Sequence, residues 1–254
     1  MASELIERQQ RGLQWAALIG LAWLLSLLAS LILPLDQTHP LLIMAMVLLR
    51  GFLQTGLFIV AHDAMHGSLS AGNPGLNQRI GRWCLLAYAG LSFAICKANH
   101  QRHHYAPATA HDPDFCQPGR PSMAGWYLRF LSNYVRTRQL VRLALGWTLL
   151  FAIATQTTTH PLATIALFCV SPLVLSSWQL FLFGTYLPHR NTNPLFGEKP
   201  RSLGFSPLLS FASCYHFGYH REHHDHPSAP WFRLPELRAA HRRRLRSSLN
   251  CSQA

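Results

Sequence analysis

Four apolar segments organise this chain. Residues 15–33 are apolar except for two serines, and residues 41–61 are interrupted only by Arg50, Gln54 and Thr55. Further runs at 140–154 and 163–187 follow, the last with Pro172 as an expected kink. Runs of about 20 apolar residues are long enough to cross the hydrocarbon core of a bilayer. The pattern therefore predicts an all-α integral membrane protein with four transmembrane helices, read as a single domain over 1–254.

A fifth apolar stretch, 80–96, is shorter and is bounded by Arg79, Arg82 and Lys97. It is expected to enter and leave on one side, or to lie in the interface. The short loops at 34–40 and 155–160 carry no Lys or Arg, whereas the other loops and both ends carry several. The positive-inside rule then places those basic segments, and both termini, in the cytoplasm. The expected location is a bacterial inner or thylakoid-type membrane. No clean signal peptide precedes the first run, which reads as a retained anchor.

Composition sharpens this picture. Only 13% of residues are charged, about half the share of a soluble domain. Lys and Arg number 22 against 10 Asp and Glu, a formal net charge of +12. A basic chain invites a nucleic-acid reading. Here, however, the basic residues lie between and beyond the apolar runs, which suits anionic membrane lipid, and no nucleic-acid partner is expected. The six cysteines form no CxxC pair and read as reduced thiols.

Candidate chemistry comes from nine of the 15 histidines. His62 and His66 read H-D-A-M-H at the end of the second run. His100, His103 and His104 read H-Q-R-H-H, and His220, His223 and His224 read H-R-E-H-H. Spacings of three and four share a helix face. The expectation is that the i and i+3 histidines of each H-x-x-H-H box serve one metal while the adjacent second histidine turns to its neighbour. His189 lies just beyond the fourth run. Imidazole suits iron, and an iron-derived oxidant can break an unactivated C–H bond. Asp63, Asp112, Asp114, Glu222 and Asp225 are candidate acceptors that orient the imidazoles through their free N–H groups. His216 is a further candidate, as ligand or as neighbour. His111 and His226 fall beside the boxes but outside their spacing. His39, His160 and His241 read as ordinary surface or core residues.

The three boxes resemble those of the membrane fatty-acid desaturase and hydroxylase superfamily. The strings F-G-T-Y-L-P-H-R at 183–190, D-P-D-F at 112–115, C-Y-H-F-G-Y-H-R-E-H-H at 214–224 and P-W-F-R-L-P at 230–235 are similar to β-carotene ketolases of the bacterial and cyanobacterial type. That family often has two tryptophans where this chain has Trp231-Phe232. The resemblance implies a four-span bundle with a cytoplasmic histidine-rich cap and a di-iron centre. It implies His62, His66, His100, His103, His104, His189, His220, His223 and His224 as ligands, O₂ as co-substrate and a ferredoxin-type electron donor. It also implies β-carotene as substrate, oxidised at C4 of the β-ionone ring, with zeaxanthin a further candidate. Phe58, Tyr88, Phe93, Phe183, Tyr186 and Trp231 are the expected aromatic walls of a substrate path. Rival readings with the same centre are a fatty-acyl desaturase and a carotenoid ring hydroxylase. A non-enzyme rival is a membrane zinc-binding or transport protein.

Overall fold

A computed structural model describes residues 2–116, 122–190 and 200–251, which form helices and loops. The ten helices used below are α1 (Ala2–Leu31), α2 (Pro40–His66), α3 (Pro74–Ala89), α4 (Phe93–Tyr105), α5 (Met123–Tyr134), α6 (Thr137–Thr157), α7 (Pro161–His189), α8 (Pro207–Cys214), α9 (His220–Asp225) and α10 (Leu234–Cys251). Among the described residues four helical stretches are long and apolar enough to cross a membrane: Gln9–Leu31 within α1, α2, α6 and α7. They match the four apolar runs with longer ends, except that the first stops at Leu31, two residues short of the run. The apolar test stops at polar side chains, whereas the helix stops where its backbone is capped. Thus α2 starts at Pro40, which needs no N–H partner at the first helical position, and continues past residue 61 to His66. There Gly67 caps it with φ +74.

Outward leucines such as Leu18, Leu25, Leu41, Leu48, Leu145 and Leu149 form a lipid-facing belt. α6 stands at the edge of the bundle and buries only Gln139 and Ala154.

The stretch at 80–96 is two arms and not one helix. α3 ends at Gly90, whose φ of +67 is cheap only for glycine, and α4 begins at Phe93. A side chain at Gly90 would also crowd α6, its Cβ 3.1 Å from the Gln139 carbonyl oxygen. The arms touch where Gly81 faces the Phe93 ring. Glutamines tie the tip of this hairpin to its neighbours. The Gln54 amide donates to the Tyr88 carbonyl, and Gln139 Nε2 donates to the Ala89 carbonyl at 2.8 Å. Gln54 Oε1 also accepts from the Trp23 indole at 2.6 Å.

Arg50 is 2% exposed and pairs inside the bundle. Pro172 has no N–H to give the Phe168 carbonyl one helical turn earlier. Arg50 Nε supplies the missing donor at 2.6 Å, while its Nη1 reaches the Trp23 carbonyl and Ser26 Oγ. The helix around this point is loosened. Ala166–Val170 and Phe181–Tyr186 are π-helical turns, and the second ends two residues before Pro188-His189. Such turns recur at functional sites.

Replacing Gly81 by leucine is expected to drive α3 and α4 apart, because its Cβ alone would lie 2.2 Å from the Phe93 ring. Overpacking of this kind costs about 1–3 kcal/mol. A lowered melting temperature of the detergent-solubilised protein, together with loss of bound metal, is the expected outcome.

Candidate metal centre

Nine imidazoles converge at one end of the bundle. The last turn of α2 carries His62 and His66, α4 carries His100, His103 and His104, the end of α7 carries His189, and α9 carries His220, His223 and His224. They divide into two groups. His62, His66, His100, His104 and His223 form the first, and His103, His189, His220 and His224 form the second. Within each group the available ligand atoms lie within 4.8 Å of one another.

The division corrects the expected split of the boxes. In α4 it is the i and i+4 pair, His100 and His104, that shares a group, and His103 turns to the other. In α9 His220 and His224 share the second group and His223 crosses to the first. Positions four apart are offset by about 40° around a helix and positions three apart by about 60°. The i+4 pair therefore aims more closely at one point.

The donor set fits a pair of cations. Facing Nε2 atoms lie 2.7 Å apart for His66 and His100, 2.8 Å for His104 and His223, 2.9 Å for His189 and His220, and 3.0 Å for His103 and His224. Both ring nitrogens of His62 are buried without a hydrogen-bond partner. Burial, reinforced by the neighbouring imidazoles, holds His100, His220, His223 and His224 well below the usual histidine range. His104 is pushed down to about 2 by the same causes. Neutral imidazoles with converging lone pairs are what a metal needs, and a cation between them satisfies what protons cannot. The arrangement is therefore that of a di-metal site.

His103 is the exception. Burial pushes it down, but the Asp112 carboxylate outweighs burial and raises it. Asp112 accepts from His103 Nδ1 at 2.9 Å and from the backbone N–H groups of Ala108 and Asp114. It thereby turns His103 Nε2 toward the second group.

The other candidate acceptors do different work. Asp63 lies 3.6 Å from His62 Nδ1, outside hydrogen-bond range, and accepts instead from the Trp231 backbone N–H. Asp114 accepts from the Tyr134 hydroxyl at 2.7 Å, and burial pushes its carboxyl up to about 6. Glu222 points away from the groups and takes Ser202, Arg238 and His241, fixing α10 to α9. His241 is thus a structural partner, which an isolated surface histidine in the sequence does not reveal. Asp225 lies 3.7 Å from Arg221. His216 belongs to neither group and stacks on Tyr219 with ring planes 8° apart. His111 and His226 are exposed.

A small chamber of about 40 Å³ touches His62, His100, His103 and His220 and is walled by Phe58, Phe130, Tyr134 and Leu180. The same four side chains line a second, apolar cavity of about 240 Å³, which also meets Tyr88. Of the six aromatics named from the sequence, Phe58 and Tyr88 line these cavities and the other four line neither. Phe93 packs between the hairpin arms, and Phe183 meets Phe205. Tyr186 packs on Trp126. Trp231 joins Trp15, Phe211 and Tyr215 behind the site. Phe130 and Tyr134 of α5 were not among the expected walls. Their spacing of four, together with Trp126 and Tyr127, was the available sign.

The fatty acid desaturase family model matches residues 38–251. A β-carotene ketolase of Paracoccus sp. (strain PC1) is 40% identical over 232 residues, covering 87% of this chain and 90% of that protein. A β-carotene 4-ketolase 3 of Haematococcus lacustris is 37% identical over 204 residues, and a zeaxanthin 4-ketolase of Chlamydomonas reinhardtii is 38% identical over 192. These cover 77% and 74% of this chain, and 62% and 42% of the longer algal proteins. No solved structure matches.

An Asp112→Asn variant keeps the shape of the side chain but removes the charge that orients His103. Metal affinity is expected to fall about 10- to 100-fold. Metal retained after dialysis against a graded chelator series measures this, and retention equal to the parent protein would contradict the orienting role.

Proposed function

The chain belongs to the fatty acid desaturase family, and we propose that it works there as a β-carotene 4-ketolase. One conjunction carries the reading: close similarity to β-carotene ketolases over most of the chain, and nine imidazoles gathered in two groups beside an apolar path. Acceptance of hydroxylated rings is the natural extension, given the similarity to a zeaxanthin 4-ketolase.

His62, His66, His100, His104 and His223 would hold one iron, and His103, His189, His220 and His224 the second. Once bound, and with O₂ and electrons from a ferredoxin-type donor, that iron pair would supply the oxidation of an allylic C–H carbon to a ketone. The protein supplies positioning. Phe58, Phe130 and Leu180 form an apolar neck that admits a hydrocarbon ring and excludes water from the imidazoles. Asp112 holds His103 in its orientation, and the Asp114–Tyr134 pair forms the polar side of the chamber.

In the membrane, the single domain would place the histidine end and both termini in the cytoplasm. The α3–α4 hairpin would dip in and return. The Gly90 turn and the glutamine ties at its tip support this, because a full crossing would part the first two histidine boxes. A cation carrier is disfavoured by Arg50. A buried positive charge without a carboxylate within ion-pair range, among the described residues, repels a cation midway along the bundle.

Pigment analysis of a β-carotene-producing host is the decisive test. Expression of this chain is expected to yield 4-keto carotenoids, and His104→Ala or His223→Ala to abolish them. An alcohol as end product would favour a ring hydroxylase. Unchanged pigment with altered acyl chains would favour a desaturase, and bound zinc without iron would end the oxygenase reading. Leu180→Trp, which narrows the neck, is expected to slow ketone formation about tenfold through lost positioning while iron content stays at the level of the parent protein.

A further inference from the structure

The path does not end at the apolar cavity. Tyr88, Leu143 and Leu173 line both that cavity and a third of about 280 Å³ on the far side of the hairpin tip. This third cavity differs in character. Its charged lining residues are Arg50 and Arg142, and among the described residues no carboxylate lines it. Gln54 and Trp23 complete its polar side, but each is already committed to the other. Three cavities thus form a string from the imidazoles, past Phe58 and Tyr134, around the hairpin tip, to Arg50.

Arg50 lies twelve residues before His62 in α2, about 18 Å along the helix axis, and its side chain leans further toward the start of the helix. A guanidinium carries five N–H donors in a fixed fork. The Phe168 carbonyl, the Trp23 carbonyl and Ser26 Oγ take Nε and Nη1. Among the described residues Nη2 has no hydrogen-bond partner, which leaves it to serve a ligand. A donor-rich, carboxylate-free pocket at the end of an apolar string suits a long hydrocarbon with an oxygen acceptor at its tip.

On the reading proposed above, we infer that the Arg50 pocket receives the oxygenated far ring of a carotenoid whose other ring lies at the metal centre. β-Carotene has two identical rings, so after one is oxidised the molecule must present the other. A keto oxygen reaching Arg50 accepts a charge-assisted hydrogen bond. A hydrocarbon ring in the same place leaves that donor unmade. The pocket therefore favours the half-oxidised substrate, turned end for end, and promotes the second ketolation over release of the monoketone.

The test compares the two steps. β-Carotene and its 4-monoketone are supplied separately to membranes holding the intact protein, and the apparent KM and kcat of each conversion are measured. Arg50→Gln is expected to raise KM for the monoketone about tenfold relative to that for β-carotene, the loss of a hydrogen bond to a charged donor. Arg50→Lys, which keeps charge and a donor, is expected to restore part of the preference. Arg142→Gln is expected to shift the ratio the same way and to a smaller extent, and it stands in if Arg50→Gln fails to accumulate. Binding of the monoketone by the purified protein, followed by its absorbance, should weaken in parallel.

A purely structural Arg50 would lower both conversions in proportion, and that result, or an unchanged ratio, overturns the inference. So does a parent protein that stops at the monoketone. If the parent protein makes no ketone from β-carotene at all, the proposed function itself fails, and the two failures are distinguishable.

Discussion

Nine imidazoles cannot be buried tip to tip unless something positive lies between them. Each neutral ring offers one lone pair and one N–H. When Nε2 faces Nε2 across 2.7–3.0 Å, one proton can serve one pair but not a ring of five or of four. Protonating several rings is opposed by burial and by the mutual repulsion that holds His104 and its neighbours low. Metal ions resolve the conflict, and their binding energy becomes folding energy for the segments that bring the ligands. The rest of the architecture follows from meeting this demand at one end of a membrane bundle.

Two consequences concern backbone placement. The second box must reach the level where α2 ends, and the α3–α4 hairpin, turning at Gly90, brings it there. A hairpin among apolar helices exposes carbonyls at its turn, and in hydrocarbon such groups need partners from the protein. Gln54 and Gln139 are those partners. The same reasoning explains Arg50 and Pro172 together. Pro172 has no N–H for the Phe168 carbonyl in the loosened turn of α7, and the arginine caps that carbonyl from α2. Polar residues that look like flaws in the apolar runs are thus the joints of the bundle.

The spans and the histidine boxes were legible because both are local patterns: runs of apolar residues in one case, spacings of three and four in the other. The allocation of each box between two ions was not. Both spacings share a helix face, and only the closer aim of the i+4 pair decides that His104 and His224, and not His103 and His223, join the first histidine of their boxes. The aromatics lining the cavities were legible at two of six positions, for a different reason. In a membrane bundle an outward face is as apolar as an inward one, so composition cannot tell a lining residue from a packing residue. Phe58 and Tyr88 line the apolar cavity, whereas Trp231 and Tyr186 pack against other aromatic rings. The acidic residues followed the same rule. Asp112 and Glu222 both sit within or near a box, but only contact reveals that one orients a ring and the other clamps a helix.

The distribution of charge along the molecule separates the oxidation of a neutral substrate from the passage of a cation. A cation path lowers the cost of burial with carboxylates or carbonyls spaced across the bundle. Here the histidine groups stand at one end, the cavities beside them are walled by Phe58, Phe130 and Leu180, and the next charges along the string, among the described residues, are the guanidinium groups of Arg50 and Arg142. A cation leaving the histidines would meet hydrocarbon and then repulsion. A long apolar molecule meets the reverse: an inert wall along its length, a metal site at one end, and hydrogen-bond donors for any oxygen it carries at the other. The polarity of the path fits a molecule that is hydrocarbon along its length and acquires oxygen at its ends.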